Sequence, residues 1–407
     1  FISKLFLFPY NGVNIAVLEC EICMNKKKIK QFLLGQLDNL EHINAVIGEK
    51  KKFRDKRRVE ICNSTKLSQE QIDSVEKLYK NNYGKKIPLT WHKSYTAYTG
   101  RFDKYYFPEI LYIPEFERYM NYNQSLANVL EDKNLLYVFA KASNVRMPRM
   151  YLSCQAGIYK DAENKVLDFE KACALISNIG VCFAKPSIGT DSGRGCEVYC
   201  LVNGTDTKSG KTSGMLLKDL GKNFTIQERL VCHESIRKIY DGSVNTFRIM
   251  TYRWKNQIIV APIIMRIGRG GSYLDNAHAG GMFIALSDDG TLHKTAFTEF
   301  KEEFVEHPDS KLKFEGYRIP LLPNVVDAVK RMHYSLPAIG VINWDMTLDE
   351  SGQPVLIEAN VNGGSIWLFQ MAHGCGVFGE RTPEILRWLH KMNETKYSDR
   401  AQYYFGE

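Results

Sequence analysis

Two short stretches toward the C-terminal end of the chain place oxygen-bearing side chains inside otherwise apolar runs. Asn343-Trp344-Asp345-Met346-Thr347 and Val355-Leu356-Ile357-Glu358-Ala359-Asn360-Val361-Asn362 read as adjacent strands joined by a turn over 349–353. Side chains alternate across a strand, so Glu358 and Asn360, two apart, point to one face. If Asp345 faces them, three oxygen ligands converge. Such a set suits Mg²⁺, which takes one or two carboxylates together with substrate phosphates. The alternative is a pair of strand-end acids capping a turn. Burying Glu358 between Ile357 and Ala359 without a cation is costly, which favours the metal.

A second constellation runs Phe183-Ala184-Lys185-Pro186-Ser187-Ile188-Gly189-Thr190-Asp191-Ser192-Gly193-Arg194-Gly195. A strand that ends in Lys and enters a loop of glycines and hydroxyls suits phosphate. Glycine lets backbone N–H groups turn toward the oxygens, hydroxyls add donors, and Lys185 supplies a point charge. No G-K-[ST] opens a helix after it, so it is not a P-loop, and a strand follows where a dinucleotide fingerprint needs a helix. Taken alone, it reads equally as a hairpin loop beside a Lys. Between the two constellations lie Asn245-Thr246-Phe247-Arg248-Ile249, Met265-Arg266-Ile267-Gly268-Arg269-Gly270-Gly271 and Asp275-Asn276-Ala277-His278-Ala279-Gly280-Gly281. Arg248 and Arg266 sit in apolar strands and call for anionic partners, either a ligand or structural carboxylates. His278 has no His or Cys at ligand spacing. Its Gly-rich surroundings suit a substrate wrap or a mobile lid.

The elements that must position these residues follow from pattern. Segment 128–142, containing Asp132-Lys133, has helical periodicity up to Met147-Pro148, and 150–154 reads as a strand. A helix over 169–178, strands over 181–185, 198–202 and 224–231, and a loop over 187–195 come next. Strands then dominate: 245–254, 258–266, 282–286, 338–348 and 354–358, with helices over 325–336 and 383–392. Upstream, 31–47 has Phe32, Leu33, Leu37, Leu40, Ile43 and Ile47 at helical spacing between the Lys runs 26–30 and 50–58. Ser68 with Gln71 makes a capping box for another helix. Segment 83–122 is dense in aromatics, which read as packing because no RNA-binding signature accompanies them. The pattern is α+β, or mixed α/β, rather than one doubly wound sheet.

Composition bounds the rest. The chain of 407 residues is 44% hydrophobic and 25% charged, globular values that exclude general disorder. Net charge is +8, and the first 60 residues hold twelve Lys and Arg against seven acids, so +5 of it lies there. A surplus this local suits an anionic ligand, a membrane surface or plain solubility, and gives no basis for nucleic acid as partner. The ten Cys are scattered, and Cys20/Cys23 form a lone CxxC without a second pair, so reduced thiols in a cytoplasmic protein are the expectation. No apolar run reaches the ~18–20 residues of a membrane span. Residues 1–10 lack the pattern of a signal peptide, and the absence of an initiator Met suggests a truncated start.

The ordered set resembles the ATP-grasp superfamily: Asp132-Lys133, the strand Lys185 before a glycine loop, Gln227-Glu228-Arg229-Leu230-Val231, and a terminal Asp345 with Glu358-x-Asn360. Asn-Thr-Phe-Arg, Arg-Ile-Gly, His307-Pro308-Asp309, Gly316-Tyr317-Arg318-Ile319-Pro320 and Trp344-Asp345 resemble more narrowly the sugar-transfer-associated ATP-grasp family. The resemblance spans about residues 125–375. It implies two α+β lobes gripping ATP: a helical, aromatic-rich region over 1–124 with an acceptor or docking role, a small lobe over 125–235, and a large lobe over 236–407.

It assigns Lys133 and Lys185 to ATP phosphates, and Ser187, Gly189, Ser192 and Gly193 to the loop over the γ-phosphate. Gln227, Glu228 and Leu230 fall at the adenine hinge, and Glu234 is a ribose candidate. Asp345, Glu358 and Asn360 would hold Mg²⁺, usually two ions. Arg248 and Arg266, with Lys185, would neutralise the transferring phosphoryl, and Arg269, Asp275, Asn276, His278 and Gly280 would lie at the substrate. D-alanine ligases carry an Arg two residues before the metal Asp. Here that place is Asn343, and Arg266 is the substitute charge. The implied activity is ATP-dependent joining of a carboxylate, on a sugar, uronic acid or polysaccharide precursor, to an amine or amino acid through an acyl-phosphate. An amino acid or peptide ligase, a small-molecule kinase and a nucleotide-binding module stay open. A homodimer and a site at the inner face of the membrane are compatible with the chain.

Overall fold

The computed structural model describes residues 15–122, 124–188 and 195–406; among these, the side chains of 15–25, 27, 124, 125 and 401–404 are not described. Among the described residues, fifteen strands form two antiparallel sheets. The first holds β1 (Met150–Gln155), β2 (Ile158–Lys160), β3 (Val166–Leu167), β4 (Gly180–Pro186), β5 (Glu197–Val202), β6 (Thr205–Asp206) and β7 (Phe224–Glu228), in the order β3-β2-β1-β7-β4-β5-β6. Helices Phe169–Ile176 and Ser213–Leu220, N-capped by Asp168 and Thr212, cover one face. Ala172, Ile176, Leu216 and Leu217 pack there on Leu152, Cys182, Ala184 and Ile226. By alternation Phe183 and Lys185 project from the opposite face.

The second sheet holds β8 (Thr246–Trp254), β9 (Gln257–Val260), β10 (Ile264–Ile267), β11 (Met282–Leu286), β12 (Leu292–Thr298), β13 (Glu303–Phe304), β14 (Val341–Leu348) and β15 (Pro354–Asn360). Its order is β13-β12-β11-β10-β8-β14-β15, with β9 also on β8. One face, with Phe247, Ile249, Met265, Trp344 and Met346, packs on Val325, Val329 and Met332 of helix Leu322–Tyr334. The other face, with Met250, Tyr252, Ile264 and Phe283, packs on the N-terminal aromatics Tyr95, Tyr112 and Phe116 and on Trp388 of the helix Thr382–Glu394. The aromatic segment is therefore core, and the N-terminal helices share it with the large sheet. Arg248 and Asp345 lie on this same face, where the helical cover ends.

Several elements depart from expectation. The 128–142 helix is two, Gln124–Glu131 and Lys133–Ala142. Asp132 leaves helical geometry and accepts a hydrogen bond from the Asn134 N–H as N-cap, an alternative that a short carboxylate offers the backbone. The single strand expected over 258–266 is two, β9 and β10, with Pro262, which lacks an N–H, between them. The strand expected over 224–231 ends at Glu228, and that over 338–348 begins at Val341. The Ser68–Gln71 capping box is formed. The segment 31–47 belongs to the helix Ile15–Lys52, but Phe32, Leu33, Leu37, Leu40, Ile43 and Ile47 all face outward. Cysteines with described side chains are free thiols; Cys20 and Cys23 lie outside the described side chains.

Candidate functional site

A cleft of about 370 Å³ opens between the bare face of the first sheet and the uncovered end of the second. Its floor is built by register. Asp345 of β14 stands opposite Glu358 of β15 on one side and Arg248 of β8 on the other. Between Asp345 and Met346 the pairing slips, so that Met346 meets Leu356 and Ile357 is the extra residue. Such a bulge re-aims side chains, and the consecutive residues Ile357 and Glu358 both line the cleft. The Glu358 side chain is thereby 35% exposed, partly open to the cleft rather than enclosed between Ile357 and Ala359.

The charges interlock. Asp345 Oδ1 lies 2.8 Å from Arg248 Nε, and Oδ2 lies 3.1 Å from an Arg266 terminal nitrogen. Arg266 also donates to Thr246 Oγ1 at 2.8 Å, and Thr246 donates its backbone N–H to Asp275 at 3.0 Å. Lys133 Nζ reaches Glu358 Oε1 at 2.9 Å, which ties the first turn of a helix to the last strand. Burial pushes the Glu358 carboxyl up, but Lys133, Lys185 and Arg248 outweigh it and hold it below the usual range. Burial depresses Arg248; at Arg266 it acts the same way, but Asp275 and Asp345 outweigh it. Asp275 is raised by burial. Lys185, 5% exposed, is held by its backbone in the β4–β7 ladder opposite Thr225, and its side chain has no ion pair among the described residues. Burial, aided by the nearby Lys133 charge, lowers it to about 8.

The sequence-predicted residues separate. Lys133, Lys185, Gln227, Glu228, Leu230, Arg248, Arg266, Asp275, Asn276, His278, Asp345, Glu358 and Asn360 line the cleft. Glu228 Oε1 is engaged, accepting from Arg146 at 2.7 Å and from the Arg149 N–H at 2.8 Å. Asn276 accepts the His278 N–H as a cap, and His278 Nδ1 lies 2.7 Å from Glu299. Ser187 is buried outside the lining. Glu234 is on an exposed helix, paired with Lys238 at 2.7 Å. Arg269 donates to Gly280 O and pairs with Glu302, also outside the lining, as is Gly280. Gly189, Ser192 and Gly193 lie outside the described residues.

The small motifs acquire local reasons. Asn245 Oδ1 accepts the Gly268 N–H at 3.0 Å, and His307 Nε2 lies 2.9 Å from Gly268 O. A Cβ on Gly268 would sit 2.9 Å from Leu274 O, so this close approach requires glycine. Asp309 accepts the Gly270 N–H at 2.7 Å. These contacts pin the start of the glycine-rich segment beside Arg266. Sequence reasoning missed the 363–369 wall. Glu117 accepts the Gly363 and Gly364 N–H groups at 2.8 and 2.7 Å, and Glu109 Oε1 accepts from Ser365 Oγ and the Ile366 and Trp367 N–H groups. Only the acids inside 109–117 could have pointed to it.

No group of three or more His, Cys, Asp and Glu suited to a metal occurs among the described residues. Two carboxylates and an amide nevertheless meet the requirement of a cation that also takes phosphate oxygens. Asp345 Oδ1 is buried and meets Arg248 Nε at 2.8 Å as an ion pair without hydrogen-bond geometry, so its acceptor capacity is not filled by a hydrogen bond among the described residues. Asn360 Nδ2 lies 3.5 Å from Asp345 Oδ2.

Two antiparallel sheets that enclose a cleft between a strand lysine, Lys185, a helix-start lysine, Lys133, and the acids Asp345 and Glu358 define an ATP-grasp architecture. The sugar-transfer associated ATP-grasp family matches residues 114–384, about two thirds of the chain, and the chain belongs to that family. No curated protein matches it. Among solved structures, an ADP complex of the N5-carboxyaminoimidazole ribonucleotide synthetase purK is similar at 13% identity, over 60% of this chain and 47% of that one, TM-score 0.35. D-alanine–D-alanine ligase from Bacillus anthracis is similar at 14% identity over 67% and 69%, TM-score 0.35. L-amino acid ligase from Bacillus licheniformis is similar at 13% over 60% and 46%, TM-score 0.32. Likeness at this level carries no argument about activity, and the chain spans about half the length of the first of these proteins.

Proposed function

We propose that the chain is an ATP-dependent carboxylate–amine ligase that works through an acyl-phosphate. The observation that carries this reading is Lys185, a nearly buried cation without a partner among the described residues, in a cleft with Lys133, Arg248 and Arg266. An unpaired buried charge is costly, and a polyphosphate in the cleft would compensate it. Lys133 and Lys185 bind phosphate oxygens, and the 227–230 stretch with Ile357 lines the base pocket. Asp345, Glu358 and Asn360 would hold Mg²⁺, in one or two ions, which neutralises charge on the phosphates and orients them.

Arg248 and Arg266 exchange part of their contact with Asp345 for the oxygens of the acceptor carboxylate and the transferring phosphoryl. The carboxylate oxygen attacks the γ-phosphorus and ADP leaves. The amine then attacks the acyl carbon and releases phosphate. Catalysis is positioning and charge stabilisation, without a side-chain nucleophile. The 363–369 wall and Asp275, Asn276 and His278 border the acceptor end. We assign the carboxylate to a sugar, uronic acid or polysaccharide precursor, and the amine to an amino acid or simple amine. The region 1–124 shapes the acceptor end, with the ATP-gripping lobes over 125–235 and 236–407.

Purified protein with Mg-ATP and panels of uronic acids and amines tests this reading. ADP and phosphate in equal amounts, only when both partners are present, with an amide product by mass spectrometry, are expected. A stable phosphorylated product without free phosphate would instead make it a kinase.

A further inference from the structure

The helix Ile15–Lys52 is turned the opposite way from a core helix. Its body-facing side mixes apolar and polar contacts: Val46 packs on the core, Asp38 pairs with Arg118 and Arg400 at 2.6 Å each, His42 Nδ1 lies 3.3 Å from Pro114 O, and Glu49 is buried beside Lys52. The outward side is an apolar stripe from Ile29 to Ile47, its large side chains between 43% (Ile47) and 65% (Phe32) exposed. At 1.5 Å per residue the stripe runs about 27 Å. Single exposed apolar residues are ordinary, whereas a continuous row on one helix face marks a contact surface.

The ends of the stripe say what covers it. By the 3.6-residue period, Lys26 and Lys51 fall in line with Leu33 and Leu40, and Lys30 and Lys50 fall along its borders; all four are exposed. In a parallel pair of such helices each lysine cluster meets its own copy, and in an antiparallel pair it meets the other cluster. Both arrangements set like charges together, which disfavours self-association. Between the clusters the exposed residues Gln36, Asn39 and Asn44 are uncharged, and Glu41 is the one exposed acid, directed toward Arg118 at 3.3 Å. An apolar face bracketed by lysines is the pattern of a helix lying in the headgroup region of an anionic bilayer.

We propose that the outward face of this helix, from Lys26 to Lys51, is a membrane-docking surface for anionic lipid, which seats the protein on a bilayer without spanning it. No helix among the described residues is long and apolar enough to cross one. The polar contacts of Asp38 and His42 hold the helix to the body, so docking requires no unfolding.

Flotation of the full chain with vesicles tests this. Binding to phosphatidylcholine vesicles containing about one third phosphatidylserine, weak binding to pure phosphatidylcholine, and weakening with added salt are expected. Leu33→Glu with Leu40→Glu, at exposed positions that leave the melting temperature unchanged, lowers partitioning at least about tenfold, because both apolar burial and charge attraction are reversed. Lys26→Glu, Lys30→Glu and Lys51→Glu together lower binding only to the anionic vesicles. A wild-type chain that stays unbound with anionic vesicles, or that binds neutral ones equally, overturns the proposal. So does a wild-type dimer by light scattering that the Leu33→Glu, Leu40→Glu pair converts to monomer.

Discussion

Lys133 Nζ and Glu358 Oε1 lie 2.9 Å apart in the lining of the cleft, joining the helix that begins at Lys133 to the last strand of the large sheet. The pair brings a cation proposed for ATP phosphates against an acid proposed for Mg²⁺. Binding of Mg-ATP would replace this direct contact with one through metal and phosphate. Glu358→Gln keeps the shape and removes the charge, so turnover falls by about 10²-fold or more while ATP binding in metal-free buffer changes little. Steady-state ADP release and calorimetry separate the two; equal activity in the variant removes Glu358 from the site.

Lys185 gives a pH signature. Its ammonium is held down to about 8 by burial and by Lys133. ATP favours the protonated form, so affinity is full below about 8 and weakens as pH rises through that value, by up to about tenfold per unit. Lys185→Arg, always charged, flattens the profile. A wild-type affinity constant from pH 7 to 9.5 contradicts the assignment.

Asp345 touches both Arg248 and Arg266, and all three are buried or nearly so. Asp345→Ala strands two guanidinium groups without their shared anion and lowers unfolding free energy by about 3–5 kcal/mol. Urea unfolding measures it. A loss under about 1 kcal/mol would mean that solvent or Asp275 compensates the arginines.

Glu117 accepts two backbone N–H groups from the 363–364 turn, yet its burial raises the carboxyl to about 8. A raised carboxyl stabilises below its unfolded value and loses that contribution as pH rises through about 8. Glu117→Ala leaves two buried donors unpaired, at about 1–3 kcal/mol each, and misplaces the acceptor wall, so KM for the acceptor rises more than KM for ATP. Thermal melting and separate substrate titrations check this; equal rises in both KM values contradict a local effect on the wall.

The local pattern of the sequence was enough to find most strands and the charged residues on the cleft floor, because alternation and the apolar setting of Arg248, Arg266 and Asp345 are visible within a few residues; Ser187, Glu234, Arg269 and Gly280 fall outside the lining. What it could not give is non-local. The Glu109 and Glu117 brackets join segments some 250 residues apart. The bulge at Ile357, which brings Glu358 out of the core, depends on pairing with β14. Periodicity over 31–47 specifies an amphipathic helix but not which way it faces. That direction is set by Asp38 finding Arg118 and Arg400.

ATP in the cleft around Lys185 underlies every role proposed for the site. Calorimetric titration of Mg-ATP into the wild-type chain and into Lys185→Ala at pH 7 tests it most directly. Saturable binding of one nucleotide per chain, weakened at least about tenfold in the variant by loss of a charge-assisted contact, is the predicted result. No binding by the wild type, or equal binding by both, would contradict it.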